Sequence, residues 1–334
     1  VRFNSIDPTS TVSAVARDIF LLDEQLHLQH HSLSPLLARN AVWLSSLLPY
    51  AQAAEVLARI GGYQIPATSL WEHTQHVGQI WLSQQQKRHV GVERTRWETE
   101  RYQPQLRKSV GMDGGMVHVR GEGWKELKVG VIGTFMPPWA LAEPEQARSQ
   151  ELHYTAHLGG VETFAAELWQ LAVQQQVPYA GQVVVTADGA PWIWRLAADL
   201  FPCSTQIVDW YHASQQLASL AQSHCSDSPQ AAQAWSEALK RCLWRGECWQ
   251  VIAQLRAAGV PNRYFEDHQR RMDYPGFRAE GYPIGSGTTE SGVKQYKQRL
   301  CGAGMRWSRS GIDRMVVLRS AVMAGAFDLR WAAA

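Results

Sequence analysis

The sequence predicts an α/β protein with a mixed sheet, carried behind an all-α N-terminal region. Three observations predict it. Residues 11–81 hold apolar side chains largely at helical spacing. From Ser109 the pattern switches to three strand-like segments in a row, then to short apolar runs alternating with helical ones. After the fifth strand, residues 214–274 return to an all-helical pattern without a strand signal.

In order, residues 11–48 read as helix, rich in leucine and alanine. The stretch from Tyr50 to Trp81 reads as a helix to Ile60, a Gly61-Gly62 stop, a turn through Pro66 and a second helix from about Thr68. That outline suits a helix-turn-helix as well as an ordinary helical hairpin. Residues 83–108 are polar and read as a solvated helix or linker, with Lys87, Arg88, Arg94, Arg96, Arg101, Arg107 and Lys108 among three glutamates. "SVGMDGGMVHV" and "WKELKVGVIGTF" then have strand character around an "RGEG" turn, and Leu152–Leu158 adds a third strand. A helix follows from Val161 to about Gln176. "GQVVVTADG" has the short apolar run of a buried parallel strand. "PWIWRLAADLF" is a helix that starts with proline, and "STQIVDWYH" a fifth strand running into the helix "ASQQLASLAQ". "DSPQAA" marks another helix start. The last stretch opens with glycine, serine and threonine from Ile284 and turns helical towards Leu300, and a further helix lies around Ile312–Ala324.

Length and composition bound the class. The 334 residues suffice for one large domain or two smaller ones, and 45% hydrophobic with 19% charged residues is a globular balance. A net charge of +2 is too small to name a partner, so affinity for an anionic polymer must come from local clusters. Five cysteines without a CxxC fit free thiols in a reducing cytosol. No apolar run approaches the roughly 18 residues that span a bilayer. The chain opens at Val1 rather than methionine, so further natural sequence ahead of it is expected.

Four acids stand out. Asp113 lies inside the first strand and shares a face with Val117 and Val119, where a carboxylate is costly without compensation. Asp188 and Asp209 each close a strand, at the end where open α/β sheets bind ligands. Glu290 sits in the first turn of the helix in "IGSGTTESGVKQYKQRL". Each has a plainer role open to it. Asp113-Gly114 and Asp188-Gly189 suit turns, Asp209 suits a helix cap, and Glu290 suits the helix dipole or a pair with Lys294. As a set, acids at strand ends plus one on a basic helix match a two-metal site, in which carboxylate oxygens hold hard cations that also take phosphate oxygens. Glu290, Lys294 and Lys297 fall on one helical face, so the acid would hold metal while the lysines hold a nucleic-acid strand. From Lys294 to Arg319, Lys294, Lys297, Arg299, Arg306, Arg309, Arg314 and Arg319 face a single acid, Asp313, with Tyr296 and Trp307 interleaved. Such one-sided charge suits a DNA-binding face, with a solvated helix surface as the plainer alternative.

The segments "MDGG…GWKELKVG", "TADGAPWIW", "DWYH" and "IGSGTTESGVKQYKQRLCGAGMRWS" resemble bacterial insertion-sequence transposases of the ISKra type, allied to the Mutator group. The resemblance covers about residues 50–331 and lies in the order and spacing of the motifs. It implies an RNase H-like core with an Asp-Asp-Glu triad at Asp113, Asp188 and Glu290, two Mg²⁺ or Mn²⁺ ions held by those three, and a helical insertion before the glutamate. It matches "DWYH" to an Asp-x-x-His motif, which puts Asp209 and His212 beside the active centre as auxiliary groups. The expected DNA contacts are Lys294, Lys297, Arg299, Arg306, Trp307 and Arg309. The layout is then a helical region at 1–108 with the candidate helix-turn-helix at 50–81. The first part of the core spans 109–212, the insertion 213–280, and the last part of the core 281–334. The expected activity is metal-dependent cleavage and strand transfer of DNA, with transposon ends and target DNA as partners. The chain would work as a homo-oligomer at the DNA ends, in the bacterial cytoplasm at the nucleoid, without a membrane. A nuclease on the same fold and a non-catalytic DNA binder are the alternatives; a paired-carboxylate glycosidase is more distant. The family usually carries more N-terminal sequence than this chain does.

Overall fold

A computed structural model describes residues 33–89, 102–143 and 147–333. The chain divides into two compact units, residues 1–80 and 81–334.

In the first unit, α1 (Pro35–Leu47) starts where the Ser34 hydroxyl accepts the Leu37 N–H, with proline in the first turn. Helix α2 (Tyr50–Gly61) stops at Gly62, which adopts φ +70° and donates its N–H to Ala58. Helix α3 (Ala67–His89) follows a short turn, and the division between the units falls within it. Ala41, Ala53, Leu57 and Leu70 form the small buried cluster of this unit. The two helices and the glycine stop expected at 50–81 are therefore present. The part of the expected 11–48 helix before residue 33 lies outside the described residues, as do Arg94, Arg96 and Arg101.

The second unit is built on a five-stranded mixed sheet in the order β3-β2-β1-β4-β5. Its strands are β1 (Gln103–Val119), β2 (Gly123–Thr134), β3 (Gln150–Leu158), β4 (Ala180–Ala187) and β5 (Thr205–Val208). The first three form an antiparallel meander, and β4 and β5 add in parallel beyond β1. This is an α/β, RNase H-like arrangement. The turn between β1 and β2 uses Gly121 and Gly123 at φ +81° and +76°, backbone angles that cost glycine nothing. β1 begins six residues earlier than the pattern change at Ser109 indicated. Charges on Arg107 and Lys108 mask the alternation there, yet both side chains are buried. Arg107 lies over the Phe135 and Tyr282 rings and donates to the Glu280 carbonyl.

Helices cover both faces. α4 (Val161–Gln174) lays Phe164 and Leu168 against Gly130 of β2, and α5 (Pro191–Leu200) connects β4 to β5. The expected strand at 204–212 is shorter: it ends at Val208, because Asp209 caps α6 (Trp210–His224) through the His212 N–H at 2.8 Å. The insertion continues with α7 (Pro229–Trp244), α8 (Cys248–Ala257), α9 (Arg263–His268) and α10 (Tyr274–Ala279). Its Leu239, Leu243, Val251, Phe265 and Tyr274 belong to the same buried cluster as Val185, Val208 and Trp194 of the sheet and α5. α11 (Gly287–Leu300) crosses β1, α12 (Arg309–Met323) packs along β3, and α13 (Phe327–Ala332) follows. Among the described residues, no helix is long and apolar enough to cross a membrane.

Candidate active site

Sheet register brings the first two acids together. Gly111 of β1 stands opposite Thr186 of the parallel β4. Two residues further along lie Asp113, still on β1, and Asp188, just past the end of β4, close enough for the Asp188 charge to act on Asp113. Val208 of β5 pairs with Ala187, which sets Asp209 beside Asp188 in turn. Three acids from three strands thus share one edge of the sheet.

Glu290 reaches that edge because α11 lies unusually close to β1. A Cβ on Gly111 would fall 1.9 Å from the Thr289 hydroxyl, and one on Gly115 would fall 2.8 Å from Val293. Asp113 lies between these glycines, on the same face of the strand. The two gaps admit the helix, and Glu290 follows Thr289 directly. Gly292 extends the contact, with the Tyr154 ring 3.1 Å from where its Cβ would be.

A network of polar contacts fixes the surroundings. Asp209 is fully buried; its Oδ1 accepts the His212 N–H and its Oδ2 the Ser286 N–H. Ser286 Oγ donates to Glu290 Oε1 at 3.3 Å, and Lys294 Nζ lies 3.6 Å from Glu290 Oε2. His212 Nδ1 stands 3.5 Å from Asp209 Oδ1 and 4.0 Å from Glu290 Oε1. Burial would raise the Asp209 carboxyl, but the hydrogen bonds from His212 and Ser286 hold it below its ordinary value. His212 is shifted up, first by its contact with Asp209, against burial, then by the charges of Asp209, Asp188 and Glu290. Burial pushes the Asp113 carboxyl above its ordinary value; the Gly114 N–H opposes this, Asp188 and Glu290 raise it further, and His212 lowers it.

Asp113 is thus a largely buried carboxyl with two further acids nearby, a setting in which a divalent cation would favour its charged form. Oxygen donors on Asp113, Asp188 and Glu290 suit Mg²⁺ or Mn²⁺. The tightest group of metal-ligating side chains among the described residues is a different one: Asp209, His212 and Glu290 offer ligand atoms within 4.8 Å of one another. Asp113 and Asp188 stand outside that group, with the Asp188 charge near enough to raise the Asp113 carboxyl.

The expected DNA contacts separate into two kinds. Lys294, Lys297 and Arg306 are exposed. Arg299 and Trp307 are buried, with the guanidinium 4.9 Å from the indole centroid. Trp307 also pairs with the end of β1, accepting the Arg120 N–H at 2.8 Å. Arg309 is engaged by Glu122, with Nε 3.0 Å from Oε1, and donates to the Leu158 carbonyl at 2.9 Å. Burial therefore assigns Arg299 and Trp307 to the fold rather than to a DNA surface, because one-sided charge in a sequence does not reveal which cations face inward. Sequence reasoning also missed Ser286 and the paired glycines. The signal was present as small residues two positions either side of Asp113, the spacing of one strand face. No protein-family model matches the chain, and no curated protein matches it significantly.

Proposed function

We propose that the chain is a DNA transposase of the Asp-Asp-Glu class, which cuts a strand at the end of an insertion sequence and joins it to target DNA. The observation that carries this reading is the convergence of Asp113, Asp188 and the α11 helix bearing Glu290 at one edge of an RNase H-like sheet. The motif resemblance to ISKra-type transposases, which runs through the same acids, agrees with it. Asp113, Asp188 and Glu290 would hold two Mg²⁺ or Mn²⁺ ions, which supply charge stabilisation for the attacking and leaving oxygens of a phosphodiester displacement.

The chain's own groups do the rest. Lys294, Lys297 and Arg306 hold the phosphate backbone, with Lys294 also restraining Glu290. Asp209 fixes the backbone of both His212 and Ser286, and so the start of α11. A water oxygen attacks phosphorus at the element's end and the 3′ oxygen leaves as a hydroxyl. That hydroxyl loses its proton and attacks a target phosphodiester; the bond from that phosphorus to the 3′ oxygen of the preceding target nucleotide breaks, and the oxygen leaves as a 3′-hydroxyl after taking up a proton. Two ends must be held at once, so the working form is a homo-oligomer on DNA, in the bacterial cytoplasm at the nucleoid.

The test uses purified protein, a linear fragment carrying the DNA that flanks its own coding sequence, and a target plasmid, with Mg²⁺ or Mn²⁺. Covalently joined product is expected. Asp113→Asn, Asp188→Asn and Glu290→Gln should each lower it by roughly a thousandfold or more. Hydrolysis without joining would instead make the protein a nuclease. DNA binding without any cutting would make it a non-catalytic binder.

A further inference from the structure

The helical insertion does more than fill space between β5 and α11. Two of its tyrosines reach back to the strand ends that carry the acids. Tyr264 of α9 donates its hydroxyl to the backbone carbonyl of Asp188 at 2.8 Å. Tyr274, at the start of α10 and fully buried, donates to the carbonyl of Val208 at 3.1 Å, one residue before Asp209. The Tyr264 ring lies over Gly189, which holds φ +112°; a Cβ there would sit 2.7 Å from the ring and 3.3 Å from His268 Nε2. His268 is itself packed against Tyr264, and Arg271 joins His268 at 3.1 Å while donating to Gln206 of β5 at 2.8 Å. The insertion thus grips the Asp188–Gly189 turn and the end of β5 from outside the sheet.

We propose that Tyr264 and Tyr274 are positioning residues that lock the Asp188 and Asp209 strand ends in register, so that the insertion sets the geometry of the acidic site. The hydroxyls act on backbone carbonyls, not on substrate or cation. A neutral phenol is a donor, so each hydroxyl can give its proton to the carbonyl that it faces. A carbonyl at the end of a strand has no ladder partner of its own, and leaving it buried and unpaired is costly. Removing one hydroxyl releases the turn that aims the Asp188 carboxylate. Partners that orient a ligand in this way typically cost 10–100-fold in metal affinity when lost. The metal part of this inference rests on Asp188 being one of the cation-holding carboxylates; the clamp on the turn does not.

The test takes the full chain and the variants Tyr264→Phe and Tyr274→Phe, which keep the rings and remove only the hydroxyls. Hydrogen exchange of the metal-free protein reads the amides of residues 187–190. Titration with Mn²⁺ alone, followed by the paramagnetic signal of the free ion, reads affinity, with Asp188→Asn as reference. Tyr264→Phe should speed exchange in 187–190 about tenfold and weaken Mn²⁺ about tenfold, while amides of β1 and α12 exchange as before. Tyr274→Phe should loosen the end of β5 and weaken Mn²⁺ by a smaller factor. Unchanged exchange at 187–190 in Tyr264→Phe overturns the clamp. Faster exchange with unchanged Mn²⁺ affinity, when Asp188→Asn abolishes binding, reduces the tyrosines to a structural role and also overturns the positioning claim. If Asp188→Asn binds Mn²⁺ as the wild type does, the cation reading of Asp188 fails, and the exchange result alone decides whether the insertion holds the turn.

Discussion

Asp209 shows how much one side chain can do when it is fully buried and charged. It caps α6 with one oxygen and holds the Ser286 amide with the other, joining β5 to the loop that starts α11. Asp209→Ala should cost about 2–4 kcal/mol in urea unfolding, the sum of a lost cap and an orphaned buried N–H. Asp209→Asn keeps the cap geometry but not the charge. Because the folded carboxyl titrates below its ordinary value, its charge stabilises the protein fully above the unfolded value of about 3.9, and that stability disappears as pH falls through the folded value. The stability gap between wild type and Asp209→Asn should accordingly be constant near neutrality and close on acidification. A gap that widens in acid would show that the charge is not held this way. Of the two roles open to Asp209 in the sequence, the cap is realised, and its second oxygen adds a long-range link of 77 residues that local spacing could not reveal.

At the scale of elements, α11 illustrates what a sequence shows and what it hides. Its start within the glycine, serine and threonine stretch, its carboxylate in the first turn and the i, i+4 pair with Lys294 were all legible and are all present. Its depth of docking was not, since that depends on two glycines of β1, each far back in the chain from the helix residue that it faces. Gly111→Ala should cost about 1–3 kcal/mol, because the new methyl collides with the Thr289 side chain. In a Thr289→Ala background the same change should cost at most half as much, since the hydroxyl that it meets is gone. Equal cost in both backgrounds, measured by urea unfolding, would show that the helix is free to back away. The strand that opens the sheet was also misjudged at its start: Arg107 and Lys108 look solvent-bound in sequence, yet long cationic stems bury well when their heads find rings or carbonyls, as Arg107 does.

Across the whole molecule, the insertion is not an appendage. Its apolar side chains share one buried cluster with β4, β5 and α5, and Arg107 ties the start of β1 to Glu280 just beyond α10. The insertion and the sheet should therefore unfold together. Hydrogen exchange under increasing urea is expected to give coincident midpoints for amides in α7–α8 and in β1–β4. An insertion that melts well before the sheet would break this expectation and would also weaken any role for it in holding the strand ends. Shared packing of this kind explains why a region that reads as a separate helical block at 213–280 is continuous in structure with the core it interrupts.

The sequence by itself determined the element order, the switch from helices to a meander and then to βα units, the strand-end acids and the helix that carries Glu290, because periodicity, turn glycines and caps are local properties of the chain. Only the tertiary structure decided which basic residues face solvent, how close α11 comes to β1, and that Asp113 of β1 lies near Asp188 at the end of the adjacent β4. Those outcomes depend on pairing register and burial between segments far apart in the chain, and neither is encoded at any single position.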